Sequence, residues 1–138
     1  MTKLFIDSDI ILDLLIERDN YIHTAELMTC LINKKYKGYT TPIVISNIHY
    51  IMSKYVNYTK SMQNIKKLRT FLSILPIDEE IIDEALYLNF NDFEDSIQYI
   101  TSKRNNIDFI ITRNKNDYKK SEITVLNAKE FLELNKNI

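Results

Sequence analysis

A chain of 138 residues with 45% hydrophobic side chains has the size and composition of one globular domain that folds without cross-links. Its one cysteine, Cys30, excludes an internal disulfide and a thiolate zinc site, and its one glycine, Gly38, excludes glycine-rich phosphate loops and dinucleotide fingerprints. A formal net charge of −1 gives no global attraction to nucleic acid, so such binding needs local basic patches.

In chain order, the apolar run 3–6 stops at Asp7, which predicts a short strand ending in a charge. From Asp7 to Asn20, apolar residues at 10, 11, 14 and 15 predict an amphipathic helix. Ser8 or Asp9 is its expected N-cap, with Asp13, Glu17 and Asp19 on its exposed face. A second helix over 20–35 carries the stripe Ala25, Leu27, Met28, Leu31 and Ile32, and Gly38 closes that region. Cys30 lies on the stripe and reads as a core residue. Residues 39–41 are a candidate strand. Thr41 and Pro42 open a third helix that runs to Tyr55, with proline at its first position. A fourth helix over 60–72 carries Lys60, Lys66, Lys67 and Arg69.

A brief strand over 73–77 leads into a helix capped by Asp78, and Asp92 caps the next, which runs to Arg104. Residues 108–112 form the clearest strand, 113–118 a turn and 124–126 a last strand, after which Asn127 caps a closing helix. His23 and His49 stand alone and read as structural. Short strands alternating with helices predict an α/β fold with a mainly parallel sheet. Residues 1–138 are expected to form one domain, since no repeat or linker divides them. The lack of a long uncharged apolar run predicts a cytoplasmic protein with no membrane contact.

Open parallel sheets collect ligands outside the carboxyl ends of their strands. Asp7 and Asp9 follow the first strand, and Asn114 and Asp117 follow the 108–112 strand. The helix start bearing Asp92, Glu94 and Asp95 lies just before that strand. Carboxylates gathered at one edge repel each other and invite a hard cation such as Mg²⁺ or Mn²⁺, which fits phosphodiester hydrolysis. Helix capping explains Asp92 equally well, and the helix dipole explains Glu94. Asp9 is open to either a cap or a site role. Asp7 is harder to explain as structure, because it places a charge at the end of an apolar strand.

The segments LFIDSDIILDLL, DFEDSIQYITSKRNNIDFIITRNKNDY and VLNAKEFL together resemble PIN domains, VapC-like toxins among them. The 108–112 strand and the turn after it resemble the family's I-I-T-R-N-x-x-D-F. The resemblance implies a three-layer α/β/α sandwich around four or five parallel strands. It also implies a Mg²⁺- or Mn²⁺-dependent endoribonuclease that leaves a 5′-phosphate and a 3′-hydroxyl. By position, Asp7, Asp95 and Asp117 match the catalytic, metal-holding acids, with Asp92 as a further acid. Thr112 and Asn114 fall where the family keeps polar groups near the site. Asn47 stands where it usually has glutamate, which removes one carboxylate, and Asp9 or Asp92 is expected to compensate.

Lys54, Lys60, Lys66, Lys67, Arg69, Lys103, Arg104 and Arg113 are candidate guides for an RNA backbone, Arg113 foremost because it sits in the turn beside the site. The implied partners are RNA, a cognate antitoxin whose peptide blocks the acidic site, and a second copy of the chain. Two other readings stand beside this one. A PIN-like RNA- or protein-binding domain that has lost catalysis would explain Asn47. A receiver domain also places acids after its first strand, but Asp78 opens a helix directly after the third and Asn127 follows the fifth, where that fold needs a phosphoacceptor and a lysine.

Overall fold

A computed structural model describes residues 1–18 and 21–136. Strands β1 (Lys3–Ile6), β2 (Lys37–Thr40), β3 (Leu72–Ile74), β4 (Phe109–Ile111) and β5 (Thr124–Leu126) pair in parallel, in the order β3-β2-β1-β4-β5. The helices are α1 (Ser8–Leu15), α2 (Tyr21–Ile32), α3 (Pro42–Tyr55), α4 (Tyr58–Arg69), α5 (Glu79–Leu86), α6 (Phe93–Arg104) and α7 (Ala128–Lys136). A short 3₁₀ turn covers Lys115–Tyr118, where the sequence predicts a turn.

The strand order explains the layers. The chain steps from β1 through β2 to β3, then crosses back to β4 and β5 on the other side of β1. Right-handed crossovers place the helices of the two journeys on opposite faces. α1 packs on α2 and α2 on α7, while α5 pairs with α6, giving the α/β/α sandwich. The reversal between β1 and β4 opens a crevice at their carboxyl ends. The same two strands carry the centre of the core, with Leu4, Phe5, Ile6, Ile110 and Ile111 fully enclosed.

The caps follow local chemistry. Thr41, Asn57, Asp78 and Asp92 each accept a backbone N–H at the start of α3, α4, α5 and α6. Asn127 and Glu130 exchange hydrogen bonds of 2.8 and 3.0 Å at the start of α7. α1 differs from expectation, because its cap is Asp7, whose carboxylate accepts from Ser8 N, rather than Ser8 or Asp9. α1 is also short. Glu17 adopts φ 48°, and Arg18 N reaches back to Asp13 O at 2.9 Å, which closes the helix. Asp19 and Asn20, read above as the end of one helix and the start of the next, lie outside the described residues.

Gly38 does not end a helix. It lies inside β2, and the turn that stops α2 is made by Lys34 at φ 60°. A Cβ on Gly38 would stand 2.6 Å from Leu72 Cδ2 and 3.0 Å from Leu31 Cδ1, so a side chain there would push at least the Leu72 side chain aside. His49 and Cys30 fit their structural readings. His49 Nδ1 lies 2.8 Å from Ser61 Oγ and its ring meets Tyr58 edge-on, while Cys30 packs against the core.

Candidate active site

Asp7 is delivered to the crevice because β1 ends there, and Asp7 N donates to Ile111 O of β4 at 3.0 Å. Thr112 follows β4 and is fully buried, with its backbone N donating to Leu126 O. The Thr112 hydroxyl lies 3.1 Å from Asp7 Oδ2 and 3.2 Å from Asp9 Oδ2. On the other side of Asp7, the Tyr118 hydroxyl lies 3.2 Å from Asp7 Oδ2 and 3.2 Å from Asp95 Oδ1. The result is a chain Asp9–Thr112–Asp7–Tyr118–Asp95 across the mouth of the crevice.

Two hydroxyl protons cannot serve four carboxylate contacts at once. The cluster therefore lacks positive charge or protons. Burial, then the nearby Asp9, pushes the Asp7 carboxyl up to about 6. Burial, followed by repulsion from Asp7, Asp92 and Asp117, pushes Asp95 up to about 7. Burial also raises Asp9, against the hydrogen bonds from Arg113 N and Thr112. The Tyr118 hydroxyl is raised too, by burial and by the adjoining Asp7 and Asp95 charges, so it stays a donor.

The remaining expected site residues sit around this chain. Asp92 is exposed and caps α6 through Asp95 N at 3.2 Å, so it combines the two readings: a cap whose charge also bears on Asp95. Asp117 is half-buried and acts on Asp95 through its charge. Asn47 donates from Nδ2 to Ser8 Oγ at 3.1 Å, tying α3 to the residue after Asp7. Asn114 is exposed and reaches the cluster through its backbone N, which donates to Thr112 Oγ1 at 3.2 Å. Arg113 donates its backbone N to Asp9, while its guanidinium is held 2.8 Å from Asp13 Oδ1.

Asp13 corrects the sequence reading. It is 3% exposed rather than on an open helix face, and it also faces Arg18 Nε at 2.9 Å. A buried carboxylate is tolerable because two guanidinium groups surround it. Tyr118 is the residue that sequence reasoning missed. Its signal was a tyrosine standing where the family pattern has phenylalanine, a difference of one hydroxyl aimed at the acids.

The donor set suits a hard cation in kind, since every available ligand is oxygen and the charge is uncompensated. Asp9 Oδ1 supports this, being buried with no hydrogen-bond partner among the described residues. No three acidic, histidine or cysteine side chains among the described residues form a ready-made ligand group. Two of these carboxylates with water would be enough for Mg²⁺, which commonly takes one or two carboxylates and keeps several waters.

The sequence pattern of the PIN domain family matches residues 3–116. Ribonuclease VapC1 of Aquifex aeolicus is 29% identical over 137 residues, covering 95% of this chain and 94% of that protein. VapBC2 of Rickettsia felis, solved with a DNA fragment from their promoter, has a TM-score of 0.71 at 12% identity, over 91% of this chain and 98% of its own. A toxin–antitoxin complex from Klebsiella pneumoniae has a TM-score of 0.70 at 17% identity, over 91% and 97%. At those identities the two structures speak for the fold alone. The family match runs from β1 past β4 and covers more than half of the chain, and the chain belongs to the PIN domain family.

Proposed function

We propose that this protein is a Mg²⁺- or Mn²⁺-dependent endoribonuclease of the VapC toxin kind, working at the crevice between β1 and β4. One observation carries the reading: the Tyr118 hydroxyl brings together Asp7 and Asp95, which come from separate elements and are both short of positive charge. The likeness to Ribonuclease VapC1 over nearly the whole chain supports RNA as the substrate.

Asp7 and Asp95 would hold the ion, with Asp9, Asp92 and Asp117 reached through water. When bound there, Mg²⁺ or Mn²⁺ supplies the charge that acidifies water and neutralises a phosphate. The chain's own groups do the positioning. Thr112 keeps Asp7 and Asp9 on one side of the crevice, and Tyr118 fixes Asp95 on the other. Asn47 holds Ser8, and so the turn that presents Asp7, and brings an amide in place of a charge. An antitoxin that fills the crevice and a homodimer are part of the same proposal; a solved complex that shares this fold is that of a toxin with its antitoxin.

Cleavage of RNA in Mg²⁺ or Mn²⁺, abolished by EDTA and reduced at least about 100-fold by Asp7→Asn, is the expected result. Cleavage that survives Asp7→Asn would remove the site from the reading. A second reading, a PIN-like RNA- or protein-binding domain without catalysis, is favoured by Asn47 and by the absence of a three-acid group among the described residues. It predicts RNA binding with no metal-dependent cleavage in the same assay.

A further inference from the structure

The charge of this chain is segregated. Residues 27–77 contain eight of the eighteen basic residues and none of the nineteen acidic ones. The rest of the chain carries ten bases against nineteen acids. A net charge of −1 therefore conceals a segment of +8 and a remainder of −9. Five of the eight, Lys54, Lys60, Lys66, Lys67 and Arg69, lie on α3 and α4, which pack on each other as a hairpin. α3 alone is about 21 Å long at 1.5 Å per residue.

The hairpin also exposes aromatic rings. Tyr50 is 64% exposed, Tyr55 70% and Tyr58 64%. Lys54 Nζ sits 5.9 Å from the Tyr50 ring and 5.5 Å from the Tyr55 ring. Asn47, Tyr50 and Lys54 follow one another at helical spacing of three and four, so they share a face. That face begins at the crevice, where Asn47 meets Ser8 beside Asp7. A cavity of about 440 Å³ lies along its first half, lined by Pro42, Ile43, Ser46, Asn47, Tyr50 and, from α6, the exposed Glu94.

Three of the other candidate RNA guides are held in ion pairs, and a fourth, Arg69, donates from its guanidinium to Leu72 O at 2.7 Å. Lys103 faces Glu122, Arg104 faces Glu80 and Glu84, and Arg113 faces Asp13. Lys54, Lys60, Lys66 and Lys67 are exposed and enter none of the ion pairs among the described residues.

We propose that the α3–α4 hairpin is the docking surface for single-stranded RNA, with Lys54 and Lys60 meeting phosphates and Tyr50 stacking on a base next to the crevice. This deepens the ribonuclease reading and rests on it. Unpaired bases expose the ring faces that tyrosines stack on, whereas a duplex hides them. A second copy of the chain fits the hairpin worse, because pairing two such surfaces sets like charges together.

The test is binding of a fluorescein-labelled oligouridylate to the full chain in EDTA, where cleavage is off, followed by anisotropy over a range of salt. Wild-type protein is expected to bind. Lys54→Glu with Lys60→Glu should weaken binding at least tenfold and lower the salt slope by about 1.4, at about 0.7 per lost phosphate contact. Tyr50→Ala should weaken it about fivefold or more and Tyr50→Phe should restore it. Lys129→Glu with Lys136→Glu, outside the basic segment, should change it far less. All of these side chains are exposed, and unchanged melting temperatures confirm that each variant folds. No binding by wild type, or equal binding by the hairpin variants, overturns the proposal. So does a sedimentation shift from dimer to monomer in those variants with RNA binding intact, which would assign the hairpin to a second copy. Failure of the ribonuclease reading looks different: the hairpin binds RNA as described, yet no metal ion elicits cleavage.

Discussion

Tyr118 has one hydroxyl proton and two carboxylate neighbours, and it is 2% exposed. Its ring is packed by Phe90, whose plane it meets at 90°. Phenylalanine would fill the same space without the hydroxyl. Tyr118→Phe is therefore expected to leave the fold intact while loosening the link between Asp7 and Asp95. Outer-shell partners of ion-binding groups contribute about 10- to 100-fold in affinity, so Mn²⁺ affinity should fall by about tenfold or more, read by electron paramagnetic resonance. Unchanged affinity with a lowered melting temperature would make the hydroxyl merely structural. Asp7, at the end of an apolar strand, stands out in the sequence for a physical reason, and it lies at the centre of the cluster. The burial of Asp13 was not legible, because one of its two partners, Arg113, is a hundred residues away and only the fold brings the two together.

At the scale of elements, helix ends carry the visible strain. Glu17, Lys34 and Asn106 adopt left-handed backbone angles where α1, α2 and α6 stop. Asparagine tolerates this conformation, whereas lysine is disfavoured by its Cβ. Lys34→Gly should therefore stabilise the protein by up to about 1 kcal/mol, measured as a raised urea midpoint with an unchanged slope. A loss of stability would mean that the Lys34 side chain contributes more than its backbone strain removes. The strands and most helices were readable because apolar spacing and caps act locally: Lys3–Ile6 and Thr124–Leu126 match their predicted bounds, and Asp78, Asp92 and Asn127 cap as expected. The reason for Gly38 is tertiary, so local signals do not reveal it. Nothing beside it in sequence reveals that Leu31 and Leu72 close over it.

Across the whole molecule, the sheet order accounts for the site. Reversal between β1 and β4 places Asp7 and Thr112 side by side, and α6 and the 3₁₀ turn bring Asp95 and Tyr118 to them. The crevice was foreseeable from strand–helix alternation, but the hydroxyls that join its acids were not. The acids also make stability depend on pH. Folding raises Asp95 from 3.8 to about 7 and Asp7 from 3.8 to about 6. Between those limits the native state keeps protons that the unfolded chain has released, so this contribution to stability falls as pH rises from about 4 to about 7. Without metal, the melting temperature should thus decline over that range. A divalent ion that binds the native state should recover more of it at pH 7.5 than at pH 5.5. A metal-free melting temperature that rises across the same window would show that the acids are not held against their charge. Among the described residues no helix is long and apolar enough to cross a membrane.

The central claim is that Asp7 and Asp95 form an ion site that lacks only its cation. Calorimetric titration of Mn²⁺ into the metal-free protein at pH 6.5, repeated in buffers of different ionisation enthalpy, tests it most directly. Binding should release protons, because Asp95, at about 7, is largely protonated there and must ionise to bind. Asp95→Asn should remove most of that release, leaving the smaller share from Asp7, and weaken binding at least about tenfold. Absence of binding, or equal binding by Asp95→Asn with the same proton release, would contradict the account.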